Sequence, residues 1–202
     1  MMELNIYNCI ENLHPEISEL ETKMISGKRI GKKIRNSFQP FLSKNRTPVL
    51  AVLNTGIDEA SNYYVNSQKK IFNKNGLEVI EVKINPYSKE EEYIKRIHEL
   101  NQDSQINGIQ AQIPLPNHIR TQRVLDTISP EKDVDCQSSF SLGRIMTGDD
   151  CVYYPNTAFA VKFILNYYGI DLSTNSLLIL NRGNVVGKPL AMMLLDKNSK
   201  GN

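Results

Sequence analysis

Gly108-Ile109-Gln110-Ala111-Gln112-Ile113-Pro114-Leu115-Pro116 is the stretch that decides the fold. Residues 108–113 read as a short buried strand. Pro114 and Pro116 end it, because proline offers no N–H to a ladder. Upstream, Lys89 to Gln102 reads as a helix with Tyr93, Ile94, Ile97 and Leu100 on one side. Leu77 to Ile84 is a second strand, and Ser61 to Asn75 is a helix with Gly76 as its C-cap. Pro48-Val49-Leu50-Ala51-Val52-Leu53 is an apolar run that reads as a buried strand, closed by the loop signal Asn54-Thr55-Gly56. Residues 10–45 are helical, with Ile17, Leu20, Met24, Ile30, Ile34, Phe38 and Leu42 at helical spacing. Strand, helix, strand, helix, strand is the order of right-handed βαβ units and a parallel sheet, so the fold class is α/β.

Downstream, a second unit starts near Tyr153. Residues 156–168 read as a helix ending at Gly169, and Ser176-Leu177-Leu178-Ile179-Leu180 as an apolar strand. It runs into Asn181-Arg182-Gly183-Asn184-Val185-Val186-Gly187-Lys188-Pro189 and then a helix from Leu190 to Leu195. Strand, glycine turn and helix open a Rossmann-like nucleotide-binding domain. A doubly wound sheet needs more strands than follow here. The expectation is a chain cut short, or a second domain completed by something else. The division expected is 1–150 for a first domain and 151–202 for the start of the second.

Bulk properties narrow the function classes. The 202 residues are 40% hydrophobic and 23% charged, ordinary values for a chain that buries a core. A net charge of +2 is too small to argue for nucleic acid or an anionic membrane. The basic cluster Lys28 to Arg35 has apolar residues spaced through it and reads as the solvated face of an amphipathic helix. No run of 18 apolar residues is present, so nothing is expected to span a membrane. Cys9, Cys136 and Cys151 are odd in number and lack metal-ligand spacing, which points away from a disulfide framework or a metal site and toward a reducing cytoplasm. The first residues have no basic region before an apolar run, so no signal peptide is expected.

Four segments carry chemistry. In Ser61-Asn62-Tyr63-Tyr64-Val65-Asn66-Ser67-Gln68, Tyr64 and Gln68 lie one turn apart on one helix face. Lys69 and Lys70 project away from that face. Gln112 ends a buried strand and must satisfy its amide, structurally or in a site. In Pro130-Glu131-Lys132-Asp133-Val134-Asp135, the two aspartates suit either turn and cap duty or ligand binding. In the fourth, Pro155-Asn156-Thr157-Ala158 precedes the Asn181–Pro189 turn, whose glycines would bring backbone N–H groups toward phosphates. Taken singly, Tyr64 is a half-buried aromatic and the glycine turn an ordinary βα connection.

In this order and spacing the segments resemble the bifunctional methylene-tetrahydrofolate dehydrogenase/methenyl-tetrahydrofolate cyclohydrolase family, over residues 48–195. The resemblance implies catalytic roles for Tyr64, Gln68 and Gln112. It implies substrate contacts at Tyr64, Pro114 and Asp135, whose carboxylate accepts two parallel N–H bonds from the amino-pyrimidinone edge of a folate. It implies cofactor contacts at Thr157, Arg182, Gly183 and Gly187. The cofactor would be NADP or NAD, with NADP preferred because Arg182 can fork onto a ribose 2′-phosphate. Tetrahydrofolate derivatives are the implied partners, and a homodimer the implied assembly. Departures stand out: Gln68 where the family has lysine, Cys136 where it has glycine, Ser141 where it has asparagine, Asn156, Ala158 and Ala160 where it has cysteine, proline and glycine, and Asn181 and Gly183 where its turn has glycine and serine. Two readings remain open. One is a dehydrogenase whose cyclohydrolase step is lost with the lysine. The other is a non-catalytic relative that binds folate or a partner subunit.

Overall fold

The computed structural model describes residues 27–42, 44, 46–149, 153–172 and 177–196. The expected helical stretch at residues 10–26, Cys9, Cys151, Ser176 and residues 197–202 lie outside the described residues.

The chain builds helix α1 (Gly27–Leu42), strand β1 (Val49–Asn54), α2 (Glu59–Lys74), β2 (Glu78–Lys83), α3 (Glu90–Gln102) and β3 (Gly108–Ala111). Two short helices follow, α4 (Thr121–Leu125) and α5 (Ser139–Thr147), then α6 (Asn156–Tyr167) and α7 (Gly187–Leu195). The three strands form one parallel sheet in the order β2-β1-β3. As expected of βαβ units, each crossover is a helix.

The central strand is buried along its whole length. Its side chains alternate between two cores. Val49, Ala51 and Leu53, with Ile109 and Ala111 of β3, pack on Tyr93, Ile97 and Leu100 of α3 and on Val124 and Leu125 of α4. Leu50 and Val52 face the other way, onto Val65 and Phe72 of α2 and onto Val134. Gly108 carries no Cβ because Val134 fills that space.

Local chemistry fixes the ends. Asp58 caps α2 by accepting from Ser61 N at 2.7 Å and from Ser61 Oγ at 2.6 Å. Asn75 is the C-cap of α2, and Gly76 follows it at φ 77°, a left-handed value that suits glycine. Lys132 Nζ donates to Leu100 O, Asn101 O and Asp103 O at 2.8–2.9 Å, so one cation covers the carbonyl end of α3. Glu90 in the first turn of α3 is gripped by Arg120 (backbone N 2.8 Å, Nε 3.2 Å, Nη2 2.9 Å) and by Arg123 Nη1 at 2.8 Å. These donors, Arg120 foremost, hold its carboxyl down at about 2.

One expected element is absent. Residues 177–180 form no strand, and Leu178 and Leu180 are exposed. Hydrophobicity makes the segment look like a strand, but among the described residues no neighbouring strand completes a ladder there, and a lone extended segment gains no pairing energy. Strand β3 ends at Ala111, two residues sooner than expected, although Gln112 N still donates to Leu53 O at 2.9 Å. The last helix begins earlier than expected, at Gly187, with Pro189 in its first turn where its missing N–H costs nothing. Among the described residues, no helix is long and apolar enough to cross a membrane, and no cluster of three or more His, Cys, Asp or Glu could hold a metal.

Candidate functional site

The carboxyl end of β3 opens onto a cleft of about 200 Å³. A cleft there follows from the sheet itself, since in open parallel α/β sheets the loops diverge beyond the strand ends. It is lined by Tyr64 of α2, Gln110 of β3, Gln112 and Ile113 just after that strand, Asp135 and Gln137 of the next turn, and Asn156 and Thr157 at the start of α6. Val185 reaches the cleft from the glycine turn.

The motif Lys132-Asp133-Val134-Asp135 splits its work. Lys132 caps α3, as above. Asp133 is 1% exposed and accepts from Gln137 N (3.1 Å), Ser138 N (3.0 Å) and Ser141 Oγ (2.8 Å), which is turn duty. Asp135 alone faces the cleft. Asn156 Nδ2 donates to its Oδ1 at 2.7 Å, and Gln137 Nε2 to its Oδ2 at 3.5 Å. Burial nevertheless pushes its carboxyl up to about 6, helped by the negative charge of Asp133. Tyr64 lies across the cleft with its phenol also shifted upward, by burial first and then by the Asp135 charge.

Cys136 takes φ 53°, a left-handed conformation in which a non-glycine residue is strained by roughly 1–2 kcal/mol. Its side chain is buried against Ile145, Ala158, Leu190 and Met193, which offsets that strain.

Gln68 is one turn along α2 from Tyr64 but does not line this cleft. Its Nε2 donates to Gln110 Oε1 at 2.9 Å, on the wall of a larger, mostly apolar cavity that Gln110, Asp135 and Asn156 also border. Gln112 donates to Ser61 Oγ (3.4 Å) and Ile113 O (3.3 Å), not to Gln68. Its Oε1 is buried with no hydrogen-bond partner among the described residues. Lys69 is paired with Glu81 of β2 at 2.5 Å, so it does not supply a cation to the Tyr64 face.

The remaining candidates lie apart. Pro114, after a cis peptide bond, follows the cleft wall without lining it. Arg182 and Gly183 are exposed and Gly187 is buried. Gly187 packs so closely on the Asn181 backbone that a Cβ would overlap it. The amide N–H groups of Gly183 and Gly187, expected to point at phosphate, donate to Asn181 Oδ1 at 2.8 and 3.0 Å.

Sequence reasoning misses Gln110, Gln137 and Asn156. For Gln110 a signal is present: period-two alternation puts it on the same sheet face as Gln112. Asn156 occupies an eroded motif position that gives no such signal.

Known proteins match this arrangement. Residues 25–135 match the model of the tetrahydrofolate dehydrogenase/cyclohydrolase catalytic domain, and residues 155–201 that of the family's NAD(P)-binding domain. The bifunctional protein FolD of Acetivibrio thermocellus is 37% identical over 183 residues, covering 89% of this chain and 64% of the relative. The bifunctional FolD methylenetetrahydrofolate dehydrogenase/cyclohydrolase of Campylobacter jejuni superposes with a TM-score of 0.81 at 33% identity, over 85% of this chain and 62% of that one. The Trypanosoma brucei enzyme, solved with NADP and an inhibitor, superposes at 0.78 and 26% identity, over 84% and 60%. This chain thus spans about 64% of the length of the curated relatives it matches.

Proposed function

The chain belongs to the tetrahydrofolate dehydrogenase/cyclohydrolase family, and from that premise we propose that it binds a tetrahydrofolate derivative in the Tyr64–Gln112–Asp135 cleft and oxidises methylene-tetrahydrofolate with NADP or NAD. The observation that carries the reading is Asp135: a half-buried carboxylate at the cleft wall, with acceptor positions for two parallel N–H bonds from an amino-pyrimidinone. Gln112 Oε1, a buried acceptor with no partner among the described residues, would take a further N–H of the ligand. Tyr64 covers the ligand from α2, and Pro114 ends the strand segment whose Gln112 and Ile113 line the cleft.

Thr157 and Val185 line the same cleft, and the tight packing at Gly187 fits the close turn a dinucleotide needs. The cofactor would be held by Thr157, Arg182, Gly183 and Gly187, and when bound it supplies the hydride acceptor. Asn181 must release the amides of Gly183 and Gly187 before they can meet a phosphate. Arg182 favours NADP over NAD. We assign residues 1–150 to the folate domain and 151–202 to the nucleotide domain, in a cytoplasmic homodimer.

Hydrolysis of methenyl-tetrahydrofolate needs a group that carries charge and trades a proton near the reacting carbon. Gln68 does neither and is turned to Gln110. The cyclohydrolase step is therefore weak, by the ~100- to 10,000-fold that one acid–base group contributes. Two assays on the purified protein decide the reading: nucleotide-dependent oxidation of methylene-tetrahydrofolate, and hydrolysis of methenyl-tetrahydrofolate. Oxidation with little hydrolysis is expected, and Gln68→Lys should raise hydrolysis. Failure of both reactions, with folate binding retained, would favour a non-catalytic binding relative, the reading that Gln68 and Asn181 support.

A further inference from the structure

We propose that residues 6–24 of this chain are the occupant of the large apolar groove between α1 and α6, and that they close it as a tethered amphipathic segment. The proposal does not depend on the folate reading above.

The groove has a volume of about 780 Å³ and is mostly apolar. Ile34 and Phe38 of α1 stand on one side, Phe159 and Phe163 of α6 on the other, and Leu50 and Val134 lie in the floor. Lys33 Nζ donates to the Tyr167 hydroxyl at 2.9 Å and ties the two helices together. A contiguous apolar surface of this kind marks a place where something docks.

Three observations select the occupant. The first is position. Gly27, the first residue of α1, itself borders the groove, so residues 6–24 join its rim through residues 25 and 26 alone. A tether that short makes docking an intramolecular event at a roughly millimolar effective concentration, which a second copy of the chain does not match. The second is pattern. Ile6, Ile10, Leu13, Ile17, Leu20 and Met24 recur at alternating intervals of four and three, which is one apolar stripe along a helix. Pro15 falls within the run, where it suits the first turn of a second helical arm. At helical rise the stripe is roughly 27 Å long, against roughly 24 Å for the 16 residues of α1. The third is charge. Residues 1–26 carry five glutamates and one lysine, whereas α1 carries five basic residues and no acidic one. With the stripe turned into the groove, the glutamates meet the basic helix beside it. Gln110, Asp135 and Asn156 border both the groove and the smaller cleft, so the docked segment also backs the cleft wall.

The test uses the full chain with benzoylphenylalanine in place of Phe163, irradiated and mapped by peptide mass spectrometry. A link to residues 6–24 within one molecule is expected. A link to them only between two molecules, or no link to them, overturns the proposal. A second measurement leaves the groove itself untouched. In the variant Leu13→Asp with Leu20→Asp, amide hydrogen exchange over residues 159–164 should quicken about tenfold while β1 stays protected, and binding of the apolar dye anilinonaphthalene sulfonate should rise. Unchanged exchange over residues 159–164 overturns the proposal. A parent that binds the dye as strongly as the variant overturns it too, because the groove is then open to small apolar molecules. Each measurement decides alone should the other's variant fail to fold.

Discussion

Replacing Asp135 with Asn should stabilise the ligand-free protein at neutral pH and, in the same stroke, remove the acceptor pair proposed for folate. Burial lifts this carboxyl from 3.8 to about 6. A folded-state pKa above the unfolded one means that the native chain holds the proton more tightly, so stability is lost as pH rises through 6 and stays reduced at pH 7. A shift of roughly two units sets a ceiling of about 3 kcal/mol. Cleft water screens the carboxylate and lowers that ceiling. The new asparagine keeps an oxygen for Asn156 Nδ2, but its own NH2 confronts the donor of Gln137, at a cost of about 1 kcal/mol. The net expectation is a gain of about 1 kcal/mol at neutral pH, vanishing near pH 4.5 where the parent carboxyl is already protonated. Urea unfolding of parent and variant at both pH values, with equal m-values, measures the difference. A variant that is less stable at both, or whose advantage is the same at both, would refute the reasoning.

Asn181→Gly should free the amides of Gly183 and Gly187 and tighten NADP binding about tenfold, read by calorimetry; unchanged affinity would mean that these amides do not meet phosphate. Lys132→Met should cost about 2 kcal/mol, because three carbonyls at the end of α3 lose a charged donor, and chemical denaturation would show it. Glu90, with its carboxyl held at about 2 against an ordinary 4.5, contributes stability that is present above pH 4.5 and lost as pH falls toward 2. An acid-unfolding profile of Glu90→Gln should lack that limb.

The sheet is legible in the sequence because strands β1 and β3 are apolar runs bounded by turn signals, and because Tyr93, Ile97 and Leu100 repeat at helical spacing between them. Helices α4 and α5 are not. They are short and begin beside local partners such as the Ser138 cap, which composition does not announce. Residues 177–180 mislead because an apolar run states a wish for burial but not the presence of a partner strand. At the site, Tyr64, Gln112 and Asp135 are legible from spacing and resemblance, and all three line one cleft. Gln68 reads as a missing catalytic group. Its attachment to Gln110 is not legible, since hydrogen-bond pairing between a helix and a strand depends on how closely the helix docks.

The central strand's alternation has a consequence for how this protein can change. Its odd-numbered side chains face α3 and α4, and its even-numbered ones face α2. Beyond the strand ends that second side continues into the cleft. Substitutions on the first side are felt as melting; substitutions at the cleft end of the second are felt as altered chemistry. A chain built this way can lose a proton-handling lysine, acquire an amide network in its place, and fold as before. The backbone of β1 and β3 works as a bulkhead: damage or invention on one side does not flood the other.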